Sequence, residues 1–253
     1  MRIAPMSVII KTDDEIAVMR QAGRVTAEVL RILANSVKAG METRELDVIA
    51  EKECRKRDAF PSFKGYHGFP ASVCVSVNDE VVHGIPGKRV IREGDIVSID
   101  FGVIYDGFQG DAAVTVGVGR TSPAAQRLIE ATEGALWAGI KTARAGSHLG
   151  DISAAIQDHA EARGFTVVRE YTGHAIGRDM HEDPLVPNFG IPGTGILLKK
   201  GMTLALEPML NIGDWRTRRA DDDWTVLTVD GSLSAHFEHT IAITNGEAEV
   251  LTR

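Results

Sequence analysis

The sequence predicts an α+β fold built from two similar halves that share one sheet and one core. Three observations carry that expectation. Long stretches repeat their apolar residues at helical spacing, short β-rich runs follow them, and the same order of elements recurs in the second half of the chain.

In chain order, Thr12-Asp13-Asp14-Glu15 reads as a capping box. Ile16, Met19, Val29, Leu30 and Leu33 then keep helical spacing up to the break at Gly40. Thr43 is expected to cap a second helix reaching about Arg57, whose basic tail from Lys52 is a solvated face. From Tyr66 to Thr115 the chain turns β-rich, with strands at Val73 to Val77 and Asp95 to Val103 and a turn at Gly84, Pro86 and Gly87. Ser122-Pro123 is an N-cap followed by proline at the first helical position. That helix runs to about Arg144, and another spans Asp151 to Arg163.

Ala39-Gly40 followed by Glu45-Leu46 recurs as Ala145-Gly146 followed by Asp151-Ile152, an offset of 106 (145 − 39). The run Arg92 to Asp100 recurs as Lys199 to Glu207, an offset of 107 (207 − 100). Agreement of the two offsets implies an internal duplication, with the second half starting near residue 120. Each unit alone would expose an apolar face, so residues 1–253 are expected to form a single domain.

The chain has 253 residues, 43% hydrophobic and 25% charged, enough for a large core. A net charge of −7 disfavours nucleic acid and anionic membranes as partners. No window is long and apolar enough to span a membrane, and Met1-Arg2-Ile3-Ala4-Pro5-Met6 lacks a signal-peptide core, so a cytoplasmic location is expected. Cys54 and Cys74 are isolated, which argues against both disulfides and a thiolate metal site.

Against this background, Asp100, Asp111, His174, Glu207 and Glu238 stand out, each in or beside a short apolar run. Burying an unpaired carboxylate is costly. Four converging carboxylates repel one another by roughly 4 kcal/mol per close pair at an effective dielectric of about 20. Two divalent cations would balance the charge. Asp106-Gly107 reads as a two-residue hairpin turn, which sets Asp111 opposite Gly102 and makes it a diagonal neighbour of Asp100. The acidic run Asp221-Asp222-Asp223 reads instead as a solvated loop.

Motifs around these residues resemble the methionine aminopeptidases, type I, of the pita-bread metallopeptidases. They are Gly107 to Asp111, Gly173-His174-Ala175-Ile176-Gly177, His181-Glu182-Asp183-Pro184, Glu207-Pro208 and His236-Phe237-Glu238-His239-Thr240. Tyr66 to Pro70, Ser72-Val73-Cys74 and His83-Gly84-Ile85-Pro86 join them, so the resemblance covers nearly the whole chain. It implies the pita-bread fold, two pseudo-symmetric halves sharing one curved antiparallel sheet covered by helices.

The resemblance also implies roles. Asp100 would bind one divalent ion, His174 and Glu207 the other, with Asp111 and Glu238 shared; Co, Mn, Fe or Zn suit such ligands. Glu207 would also shuttle the proton, His181 would contact the substrate carbonyl and His83 would lie near the scissile nitrogen. Tyr66, Phe69, Cys74, His83 and Trp224 match a methionine pocket, with two departures: Met180 stands where an aromatic residue is expected and Phe69 where tyrosine is common. Asn78, Glu80 and Ser234 match a carbonyl site for a monovalent cation. His148 and His159 are ordinary surface or packing residues, while His67, His236 and His239 carry no assigned role. The implied activity is removal of the initiator methionine before a small second residue. Its partners are N-termini of nascent polypeptides met at the ribosome, and the chain is expected to be a monomer. Two other readings are an Xaa-Pro-directed pita-bread peptidase, such as aminopeptidase P or prolidase, and a non-catalytic peptide-binding module. The first usually carries an extra N-terminal domain, for which the helix near Asp13 leaves no room; the second typically lacks a ligand.

Overall fold

The computed structural model describes residues 8–253, so the Met1 to Met6 stretch lies outside the described residues. Helix α1 spans Asp13–Ser36 and starts at the expected capping box: Thr12 Oγ1 accepts from Glu15 N at 3.2 Å, and the Glu15 carboxylate accepts from Thr12 N at 3.0 Å. Helix α2 spans Thr43–Arg55, but its cap is Glu42 rather than Thr43. Thr43 is buried, and its hydroxyl is used across the fold, accepting from Gly87 N at 2.8 Å. Helix α3 spans Pro123–Thr142 behind Ser122, whose Oγ accepts from Ala125 N at 3.1 Å. Helix α4 spans Leu149–Glu161, starting before Asp151 because that carboxylate sits in the first turn and accepts from the backbone of the cap residue His148 at 2.7 Å.

Nine strands form the main sheet: β1 Phe60–Pro61, β2 Cys74–Val77, β3 Ile96–Tyr105, β4 Phe108–Gly117, β5 Gly173–Ala175, β6 Glu182–Val186, β7 Thr203–Leu206, β8 Glu238–Ala242 and β9 Glu249–Val250. The order is β1-β3-β4-β8-β7-β5-β6, with β2 also on β3 and β9 also on β8, and every pairing is antiparallel. Two three-stranded sheets flank it. One joins Thr166–Val167, Met209–Asn211 and Ser234–His236; the other joins Glu80–Val82, Thr217–Arg219 and Val226–Thr228. These short strands escape sequence reading because they are too brief for a period of two to register.

Alternation in β3 sorts its residues between two environments. Val97, Ile99, Phe101 and Val103 pack with Val29, Leu33, Leu46 and Ala50 of α1 and α2. In the other half, Leu204, Leu206 and Ile241 pack with Leu128, Leu136, Ile152 and Ile156 of α3 and α4. One face of the sheet therefore carries the helices, which leaves the opposite face, including Asp100, for polar chemistry.

Matching positions in the two halves take the same conformation. Gly40 (φ 87°) and Gly146 (φ 92°), 106 apart (146 − 40), precede α2 and α4. Gly94 (φ 88°) and Gly201 (φ 90°), 107 apart (201 − 94), precede β3 and β7. Isolated bridges join Glu42 to Val90 and His148 to Leu197.

The helix layer lies directly on the sheet at Gly110. Thr26 Oγ1 donates to the Gly110 carbonyl at 3.0 Å, and a Cβ on Gly110 would lie 2.9 Å from backbone atoms of Ala22 and Gly23. Gly110→Ala is expected to cost about 1–3 kcal/mol as α1 is forced outward. An unchanged denaturation midpoint would show that the helix can yield.

Candidate metal centre and substrate pocket

The hairpin turn at Asp106 (φ 47°) and Gly107 (φ 75°) sets the register of β3 and β4, with Gly102 opposite Asp111 as the sequence implies. Ala113 then faces Asp100 on one side and Glu238 on the other. Asp111 lies two residues from Ala113 on the same face, diagonal to both acids. On the far side of β8, Ala205 pairs with Thr240 and with His174, and Glu207 follows Ala205 on that face. Strand pairing therefore turns Asp100, Asp111, His174 and Glu238 toward one cavity, and Glu207 joins them just past the end of β7. A side chain extends the two-pair β4–β8 ladder: Thr240 Oγ1 accepts from Asp111 N at 3.0 Å and donates to Asp111 O at 2.8 Å.

The cavity measures about 220 Å³ and brings together Asp100, Asp111, His174, Glu207 and Glu238 with Tyr66, Phe69, Cys74, His83, His181 and Trp224. Single ligand atoms of Asp111, His174 and Glu238 lie within 4.8 Å of one another, and Glu207 Oε1 is 3.4 Å from His174 Nε2. Asp100 Oδ1, Asp111 Oδ1 and Glu238 Oε1 are buried with no partner among the described residues. His174 Nδ1 is 3.0 Å from the Ala175 carbonyl; donation there leaves Nε2 free as an electron-pair donor. Unpartnered oxygens and one imidazole make a donor set that fits divalent cations.

Electrostatics agree. Burial, and then their mutual repulsion, holds Asp100, Glu207 and Glu238 well above the usual carboxylate range. Burial pushes Asp111 up to about 7. Burial, reinforced by His181, takes His174 down to about 3, and His83, beside His181, falls to about 4. The imidazoles are therefore neutral at neutral pH, while the carboxylates need either protons or cations.

Apolar walls meet this acidic floor. Phe69 and Trp224 pack edge to face at 5.1 Å, and Phe63, Cys74 and Met180 complete a buried cluster around them. Met180 and Phe69, the two departures from the resembled pattern, both line the cavity as apolar groups. Trp224 is oriented by Asp222, whose carboxylate accepts from Trp224 N at 2.9 Å and Thr225 N at 2.8 Å. The exposed acidic run thus supports the wall without entering the site.

His181 stands between the walls and the acids. Its Nδ1 is 2.7 Å from Tyr66 Oη, and its ring lies 4.2 Å from that of His174. The loop carrying it is tied down by Glu182, whose carboxylate pairs with buried Lys11 and accepts from Arg178 N at 3.1 Å. His83 occupies a left-handed backbone position (φ 61°) beside Gly84, which lies against the backbone of Val75 where no side chain fits. Lys11→Met would leave Glu182 buried without its cation and is expected to cost about 3–5 kcal/mol. A double change that also makes Glu182 Leu should recover much of that loss in denaturant melts; no recovery would show that packing, not charge, holds the loop.

Asn78, Glu80 and Ser234 also come together. Asn78 O accepts from Ser234 N at 2.9 Å, and Glu80 Oε2 accepts from Val77 N at 2.7 Å. Phe63 and His67 line the cavity without having been assigned to it from the sequence. No local pattern separates Phe63 from exposed Phe60. His148 caps α4 and His159 lies within it, whereas His239 is half-buried and packs edge to face on Trp137.

A sheet that converges acids and one imidazole on the floor of an apolar pocket defines a metallopeptidase. The chain belongs to metallopeptidase family M24, which matches residues 17–245. It is 52% identical over 245 residues to the methionine aminopeptidase of Clostridium perfringens, covering 97% of this chain and 98% of that one. Methionine aminopeptidase 1 of Bacillus subtilis is 51% identical over 246 residues, covering 97% of this chain and 99% of the relative. The crystal structure of methionine aminopeptidase from Thermotoga maritima superposes with a TM-score of 0.96 at 48% identity, covering 98% of this chain and all of that one. The fold is the pita-bread fold of that family. A prolidase from Pyrococcus furiosus shares the fold at TM-score 0.79 and 21% identity, with 65% of its length covered.

Proposed function

We infer that this protein removes the N-terminal methionine from polypeptides. The observation that carries the inference is the continuity of an apolar, side-chain-sized pocket with a buried acidic floor. Near 50% identity to methionine aminopeptidases over almost the whole chain supports it.

In this reading Asp100 would hold one divalent cation and His174 with Glu207 a second, with Asp111 and Glu238 available to either. When bound, the cations supply charge stabilisation and lower the pKa of water near neutrality. Glu207 accepts the proton from the attacking water and delivers it to the leaving amine. Burial keeps Tyr66 protonated, so its hydroxyl donates to His181 Nδ1 and leaves Nε2–H to bond the developing oxyanion. His83 lies toward the scissile nitrogen. Tyr66, Phe69, Cys74 and Trp224 enclose the methionine side chain, with selectivity over shorter side chains of about 1–3 kcal/mol per methylene. The metal is Co, Mn, Fe or Zn, and Asn78, Glu80 and Ser234 offer carbonyls to a monovalent cation. Residues 1–253 act as one catalytic domain arisen by duplication, with its second half starting near 120; the matched glycines and bridges support this. The substrates are nascent chains with a small second residue, met in the cytoplasm at the ribosome by a monomeric enzyme. Among the described residues no helix is long and apolar enough to cross a membrane.

The test is mass-spectrometric release of methionine from Met-Ala-Ser and Met-Lys-Ser by chelator-treated protein, before and after Mn or Co is added. Metal-dependent cleavage of the alanine peptide alone is expected. Cleavage of neither peptide with any divalent metal, together with turnover of an Xaa-Pro peptide, would transfer the protein to the proline-directed class. Peptide binding without turnover would make it a binding module.

A further inference from the structure

His236 ends the short strand Ser234–His236 and is almost wholly buried. Its backbone is pinned at both polar atoms. The N–H donates to Thr115 Oγ1 at 2.9 Å, and the carbonyl accepts from the same hydroxyl at 2.7 Å. Thr115 Oγ1 is in turn 2.8 Å from Ser98 Oγ. The side chain has no such anchor at Nε2, which is buried and without a partner among the described residues. That nitrogen lies 4.0 Å from Glu207 Oε2, while the other oxygen of Glu207 lies 3.4 Å from His174 Nε2. The two oxygens of one carboxylate thus face two different imidazoles.

A buried polar nitrogen without a partner is costly, and a shift of about 1 Å closes the 4.0 Å gap to hydrogen-bond length. We propose that His236 is a positioning residue for Glu207, donating from Nε2 to Oε2 and fixing the carboxylate so that Oε1 stays on the His174 side. The remaining lone pair of Oε2 then points to the pocket, where the proton must be taken. The consequence rests on the aminopeptidase reading of Glu207, whereas the hydrogen bond itself does not.

The experiment compares His236→Leu, which keeps bulk and removes the donor, with His236→Gln, which restores an amide N–H. In metal-loaded enzyme the Leu variant is expected to lose about 10–100-fold in kcat on Met-Ala-Ser. KM and bound metal should stay within about twofold of wild type, and Gln should recover most of the loss. Normal kcat in the Leu variant, loss of metal with it, or no advantage of Gln over Leu overturns the proposal. Should the Leu variant not fold, histidine ring NMR of metal-free wild type decides. An Nε2-protonated His236 whose signal moves in Glu207→Ala supports the pair, and an Nδ1-protonated ring overturns it. Failure of wild type to cleave would instead defeat the aminopeptidase reading and leave the NMR result standing.

Discussion

Glu207→Gln is expected to lower kcat by about 10²–10⁴-fold, the range for loss of a general acid–base group, while the protein stays folded. The substitution conserves shape and removes the proton-accepting oxygen. Stability should hold or rise in the metal-free state, because Glu207 is buried beside Asp100 and Asp111 and its charge is disfavoured there. Metal content must be measured alongside turnover, since Glu207 Oε1 is 3.4 Å from His174 Nε2 and the same residue is proposed as a ligand. Near-normal kcat in a fully metallated variant would remove Glu207 from the proton path.

Removing the cations is expected to produce the second large effect, a stability gap that widens with pH. Asp111 is pushed from 3.8 up to about 7, and Asp100, Glu207 and Glu238 move in the same direction. A carboxylate with a raised folded-state pKa contributes stability below its unfolded pKa and loses it as pH rises through the folded value. In the metal-free protein that loss extends from about pH 4 to about 7, the window set by Asp111. Cations need the deprotonated form, so the loaded protein escapes the loss and binds them more tightly as pH rises. The buried histidines oppose the trend: His83 at about 4 and His174 at about 3 have lowered values, which makes stability rise with pH. They are neutral in both forms at neutral pH, so the difference between loaded and chelator-treated melting curves isolates the carboxylates. At a metal concentration near 1,000 times Kd the gap should reach about 4 kcal/mol. A gap that does not change between acid and neutral pH would mean that these acids do not hold the ions.

Much of the architecture is legible in residues whose information is local. Thr12 with Glu15, and Ser122 before Pro123, announce helix starts because caps act over a single turn. Asp106-Gly107 sets a register because a two-residue turn leaves the strands no freedom to slide. The four acids and one imidazole are conspicuous because buried charge needs a reason, and the family's motifs supply their order. Local reading fails at Thr43, whose hydroxyl is claimed by Gly87, a residue 44 positions away in sequence.

What the chain determined by itself was therefore the helices, the principal hairpin and the identity of the converging acids, all products of short-range pattern and charge cost. Tertiary structure alone decided that Phe63 lines the pocket while Phe60 faces solvent, and that Asp222 orients Trp224. It also decided that Lys11 anchors the His181 loop and that His236 Nε2 faces Glu207 Oε2. These relations join residues whose separation along the chain carries no periodic signal, because sheet pairing and loop closure, rather than helical or strand repeat, bring them into contact.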